Sequence, residues 1–187
     1  MTGLISGFDA FGPVRINPSK CLAEDLAEQF GYATVVLDVS YSRCFRRLRQ
    51  EITRVQPKVV LLTGVARGGA GLRLEMCARN IATAMLEDVD GVVGAGQALS
   101  SHRSKGDSIY TDVDTLALAA SLCCAGFDAR VSTDAGGYVC NALYYHALEQ
   151  LDIPVLFLHI PPYDEVTWTR ERLAEAAHSL LGTWQSM

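Results

Sequence analysis

The residue types that could do chemistry in this sequence are a cysteine, a histidine and a glutamate: Cys140, His159 and Glu75. Cys140 follows the polar, glycine-rich stretch "STDAGGYV" and stands where that stretch turns into the helical pattern "CNALYYHALEQ". A helix start leaves backbone N–H groups unpaired and carries the positive end of the helix dipole. A thiolate is favoured there, and the thiolate is the reactive form of cysteine. The same N–H groups can hold an oxyanion during acyl transfer. The plain alternative is that Cys140 simply packs against a sheet.

A nucleophilic thiol needs a base, and four histidines compete. His146 lies six residues further along the same helix, so it is turned about 240° away from Cys140. His178 sits among Ala176, Ala177 and Leu180, which suits packing, and His102 lies in the polar run "SSHRSKG". His159 ends the apolar run "VLFL" just before Pro161 and Pro162, which places an imidazole at a strand end. A third group should orient that imidazole. Glu75 interrupts the apolar strand pattern "LRLEMCA", and a glutamate is seldom buried without a partner. Alternation also permits Glu75 to face outward. Cysteine, histidine and glutamate on three strand ends would make a protease-like triad.

Such groups need a scaffold, and the remaining sequence supplies one. Apolar stretches "GLIS", "ATVVLDV", "KVVLLTG", "GLRLEMCARN", "DARVS" and "PVLFLHI" read as strands. Helical patterns fall between them. Asn17-Pro18 is an N-cap followed by proline at the first helical position, and Gly31 is a C-cap. In "SRCFRRLRQEITR", Cys44, Phe45, Leu48, Ile52 and Val55 share one face and the arginines take the other, which reads as a solvated helix surface. Asp112 or Asp114 caps "TLALAASLCCA", and a final amphipathic helix covers about Glu165 to Leu181. From Ile81 to Tyr110 the periodicity is lost in a long excursion, a kind of segment that is often functional or mobile. This alternation predicts an α/β three-layer sandwich, a mostly parallel twisted sheet with helices on both faces, in a single domain over 1–187.

Charge and cysteine usage narrow the function classes. Lys plus Arg number 16 and Asp plus Glu 21, a net charge of −5 that argues against a nucleic-acid partner. No apolar run is long enough for a membrane span, and no secretory signal is visible, so the expected location is cytoplasmic. The 6 cysteines show no CxxC pair and no zinc spacing. They are expected to be thiols, and the pattern offers no zinc site; the cysteine-peptidase chemistry read from the triad needs neither metal nor organic cofactor.

Three blocks resemble those of the pyroglutamyl peptidase I family, the pyrrolidone-carboxylate cysteine peptidases. "GFDAFGPVRINPS" is similar to its GFxPFG…NPS, "LEMCARN" to its ERVAxN, and "STDAGGYVCN" to its SxTAGTYxCN. "LFLHIPP" also resembles the family's F-I-H-V-P, and the order fits along nearly the whole chain. The resemblance implies a cysteine exopeptidase that hydrolyses an N-terminal pyroglutamyl residue. Cys140 would be the nucleophile, His159 the general base and acid, and Glu75 the orienting carboxylate. Phe8 and Phe11 would clamp the flat lactam ring, aromatic faces suiting a small amphipathic ring. The partner implied is a small peptide with a blocked N-terminus, and the assembly a homo-oligomer, a tetramer by analogy. The chain departs from the pattern at Ala10, at Val65, at the turn Arg67-Gly68-Gly69, and at Met85, where the family usually has arginine. These departures leave open a related amidohydrolase with a different small acyl or lactam substrate, or a binding homologue that has lost catalysis. Arg67, Arg73, Arg79 or Arg103 could replace the missing cation.

Overall fold

The computed structural model describes residues 2–12, 15–66, 68, 70–164 and 166–187. The elements follow in the order β1 (Gly3–Phe8), α1 (Pro18–Phe30), β2 (Ala33–Leu37), α2 (Cys44–Val55), β3 (Val59–Val65), β4 (Leu72–Glu75), β5 (Cys77–Arg79), β6 (Ser108–Tyr110), α3 (Thr115–Cys124), β7 (Ala129–Ser132), α4 (Val139–Gln150), β8 (Val155–Ile160) and α5 (Arg170–Ser186). Six strands form one sheet in the order β2-β1-β3-β8-β4-β7. The continuous apolar strands β3 and β8 lie side by side near its middle, as expected of strands buried on both faces. Alternate side chains feed two apolar clusters. Ile5, Leu61, Leu156 and Leu158 pack with α1, α3 and α5 on one face. Leu4, Leu62, Val155 and Phe157 pack with α2 and α4 on the other. The three-layer α/β expectation therefore holds.

Local chemistry sets the helix ends. Asn17 caps α1 by accepting from the Ser19 N–H, and Gly31 closes it in the left-handed region at φ 64°. Ser19 Oγ in turn accepts from the Phe8 N–H at 3.0 Å. A Cβ on Gly7 would stand 2.2 Å from the Ser19 carbonyl oxygen, so only glycine lets α1 approach β1 this closely. Between the two possible caps of α3, the structure selects Asp114, whose side chain accepts from the Ala117 N–H at 2.9 Å.

Three expectations change. First, the predicted strand "GLRLEMCARN" is two strands: β4 stays in the main sheet, while β5 leaves it and pairs antiparallel with β6. Met76 makes the break, its N–H donating to Ser132 and its carbonyl accepting from Thr111. Second, β4 and β7 run parallel to each other but antiparallel to the central strands, through the pairing of β4 with β8. Third, α5 starts at Arg170, with Thr169 as its cap. Asp164 accepts from the N–H groups of Val166, Thr167 and Trp168 and so holds a turn ahead of the helix. Glu165, where that helix was expected to start, lies outside the described residues.

The excursion between β5 and β6 has little regular structure but is densely tied. Asn80, fully buried, accepts from the N–H groups of Leu99 and Ser100 and donates to the carbonyls of Ser100, Arg103 and Ser104. Asp88 accepts from Tyr41, Asp90 and Val92 N–H groups. Side chains satisfy the backbone here in place of a ladder.

Candidate active site

Strand register brings the imidazole and the carboxylate together. His159, near the end of β8, pairs with Arg73 on β4, and Phe157 pairs with Glu75. In an antiparallel pair, directly opposed residues share a face, and long side chains also reach diagonal neighbours. Glu75 does so: its Oε1 lies 2.8 Å from His159 Nδ1. Glu75 is fully buried and His159 is 5% exposed. An ionised carboxylate accepts the Nδ1 proton, which leaves Nε2 with a lone pair to act as a base. Because β4 is reversed, Glu75 stands opposite Phe157, a level deeper than His159, and not on a shared rim of strand ends as the sequence reading had it.

Cys140 is the second residue of α4, at the helix start where the sequence places it. Its Sγ would lie 3.0 Å from a Cβ built on Gly64. Gly64 is the parallel partner of His159 across β3 and β8, and Phe157, also touching that position, stacks its ring 4.6 Å from the His159 ring. Sulfur, imidazole and carboxylate thus share one face of the sheet. The helix start is anchored by the neighbouring Asn141, whose side chain accepts from the Arg79 N–H and donates to the carbonyls of Arg79 and Ile81. This fully buried amide ties α4 to β5 and so fixes where the thiol stands.

Electrostatics revises one expectation. The helix start alone favours a thiolate, yet burial pushes the Cys140 thiol up to about 12, with the neighbouring Cys44 and Glu75 raising it further. The sulfur of the free protein is therefore a neutral thiol at pH 7. Cys44, buried beside it at the head of α2, is likewise raised to about 12 by burial.

Phe8 and Phe11 are placed differently from each other. Phe8 ends β1 and is buried at 3% exposure within the cluster shared by α2 and α4. Phe11 is half-buried, its ring 6.1 Å from that of Tyr138. Tyr41 meets Tyr138 edge to face at 5.7 Å, and its hydroxyl donates to the Gly137 carbonyl at 3.3 Å. Sequence reasoning missed Tyr41 and Tyr138; the only signal for them was an aromatic two residues before Cys140 and one following strand β2. Of the departures, Val65 packs toward the cluster on the opposite face of the sheet, away from Cys140. Met85 is 76% exposed in the excursion. Arg67 and Gly69 lie outside the described residues. Among the described residues, no cluster of three or more His, Cys, Asp or Glu side chains is arranged to hold a metal ion, and no helix is long and apolar enough to cross a membrane.

With this geometry established, likeness to known proteins is decisive. A sequence model of the pyroglutamyl peptidase family matches residues 1–177. The chain belongs to that family. The pyrrolidone-carboxylate peptidase of Levilactobacillus brevis is 34% identical over 166 residues, covering 84% of this chain and 80% of the relative. The solved pyrrolidone carboxyl peptidase of Thermus thermophilus is 30% identical, with a TM-score of 0.84 over 96% of this chain and 98% of that one. At 22% identity, the pyroglutamyl peptidase I of Bacillus amyloliquefaciens shares the fold, with a TM-score of 0.89 over 100% of this chain and 97% of that one. The family resemblance and the cysteine-peptidase class expected of the sequence are thereby borne out.

Proposed function

We propose that this pyroglutamyl peptidase family member removes an N-terminal pyroglutamyl residue from small peptides, with Cys140 as nucleophile, His159 as base and acid, and Glu75 as the orienting carboxylate. The observation that carries the assignment is the 2.8 Å contact of His159 Nδ1 with the buried Glu75, on the sheet face where Cys140 Sγ lies over Gly64. Because the thiol is neutral, proton transfer accompanies attack. Nε2 of His159 takes the thiol proton as sulfur adds to the pyroglutamyl carbonyl carbon, and Glu75 stabilises the imidazolium. N–H groups at the start of α4 hold the oxygen that becomes negative. The imidazolium then gives its proton to the leaving amine as the C–N bond breaks, leaving a thioester. Water, deprotonated by His159, hydrolyses the thioester, releases pyroglutamate and restores the thiol. Phe11, with Tyr138 beside it, supplies aromatic surface for the lactam ring, and the buried Phe8 belongs to the same apolar cluster.

Release of a fluorophore from a pyroglutamyl amide tests this directly. Cys140→Ala should abolish release; unchanged turnover would exclude the thiol route. Running other small acyl amides alongside separates the lactam from rival acyl groups, and pyroglutamate should turn over fastest. A cytoplasmic homo-oligomer is proposed by family likeness, and the exposed Met85, Leu86, Val89 and Val92 offer apolar surface for self-association. A monomer in light scattering at micromolar concentration would refute the oligomer.

A further inference from the structure

Arg73 has no evident structural duty. It lies two residues before Glu75 on β4 and faces His159 across the antiparallel pair, so its side chain leaves the sheet on the same face as the imidazole, the carboxylate and Cys140. It is half-buried, and its Nε is buried with no hydrogen-bond partner among the described residues. Glu75 Oε2, on the same strand face, is likewise buried with no hydrogen-bond partner among the described residues. An unpartnered buried N–H is costly, and structures keep such groups mainly where they serve another purpose.

We propose that Arg73 is a positioning residue whose positive charge poises the thiol and imidazole for proton transfer, an inference that rests on the peptidase reading above. Among the described residues, Glu75 and Arg73 on β4, Cys44 at the head of α2 and Tyr41 in the preceding turn act on the sulfur, with Tyr144 of α4 beside Glu75 and Asp88 of the excursion beside Cys44 and Tyr41. Among these groups Arg73 is the cation. A thiolate forming beside Glu75 meets a like charge, and Arg73 offsets that repulsion. Its influence already counts among those that lower the Cys140 thiol against the effect of burial. The guanidinium also stands beside the site independently of Met85, so a cation persists here although position 85 carries none.

A single charge that borders a thiol without touching it moves its pKa by about half a unit to one unit at an effective dielectric constant of about 40. Two readouts follow for Arg73→Met and Arg73→Gln, with Arg73→Lys as the conservative rescue. The first is the rate at which iodoacetamide alkylates Cys140 at about pH 8, followed by mass spectrometry of the peptide carrying that residue. Below its pKa a thiol reacts in proportion to its thiolate fraction. The neutral variants should therefore label about three- to tenfold more slowly, and Arg73→Lys close to the parent rate. The second is the pH profile of kcat/KM on a pyroglutamyl amide. Loss of the cation should change the shape of that profile in the neutral variants, whereas lysine should keep the parent shape. A uniform fall in kcat/KM at every pH, with labelling unchanged, would assign Arg73 a merely structural role and overturn the proposal. Labelling needs no turnover, so it tests Arg73 even if Cys140→Ala leaves activity intact and the peptidase reading fails.

Discussion

Gly64→Ala probes the seat of the sulfur with a single methyl group. The new Cβ would lie 3.0 Å from Cys140 Sγ and 3.0 Å from Phe157 Cζ. That is tighter than ordinary contact, so one or both neighbours must give way by a few tenths of an ångström. Overpacking of this kind costs about 1–3 kcal/mol. Gly64 does not occupy the left-handed region, so alanine meets no backbone strain there. Alanine also restricts the unfolded chain, which returns about 0.4–1 kcal/mol. The net loss of stability should thus be about 0–2.5 kcal/mol, small enough for the variant to fold. Activity should fall as well, by about 3- to 10-fold, because a full ångström of misplacement can lower the rate about 100-fold and this shift is a fraction of that. Urea unfolding and kcat/KM on a pyroglutamyl amide measure the two effects separately. Part of the stability loss should vanish in a Cys140→Ala background, where the methyl meets no sulfur, and a double-mutant cycle reads that coupling. Full activity together with unchanged stability would refute the claim that the thiol is seated against Gly64.

Glu75→Gln keeps the size of the side chain but removes its charge, and an amide N–H facing Nδ1 favours the wrong imidazole tautomer. We expect kcat/KM to fall about a thousandfold or more. Losing a buried charge should leave the urea midpoint unchanged or raised, so activity within tenfold of the parent would count against the Glu75 role. Stability should also decline above pH 9. The Cys44 thiol ordinarily titrates at 9.0 but is held protonated up to about 12 in the fold, so between these values the unfolded chain binds fewer protons. Unfolding therefore becomes easier as pH rises, by about 1.4 kcal/mol for one such group at pH 10. Cys44→Ala should show a shallower decline of the urea midpoint between pH 8 and 10, and an identical decline would discount the Cys44 contribution.

Much of this was legible because burial leaves a plain mark on sequence. Strands β3 and β8 announce themselves as unbroken apolar runs, and the caps Asn17 and Gly31 mark the ends of α1 by their own chemistry. His159 could be singled out because a polar residue closes such a run. Strand direction leaves no such mark: the apolar pattern of β4 reads identically whichever way its neighbour runs, so the depth of Glu75 was hidden. The break at Met76 was invisible because alternation continues through it. The order of the excursion was equally hidden, since it rests on Asn80 and Asp88 reaching distant backbone groups. The sign of the Cys140 shift could not be read either, because a helix start is a local feature whereas desolvation depends on whatever packs above it.

The reversed β4 has a consequence for how such a protein can diversify. Its buried carboxylate stands on the sheet face that α4 covers, while the turns and the excursion carry the exposed side chains. Sequence drift among those outer segments can therefore reshape the exposed surface without disturbing the buried carboxylate–imidazole pair beneath it.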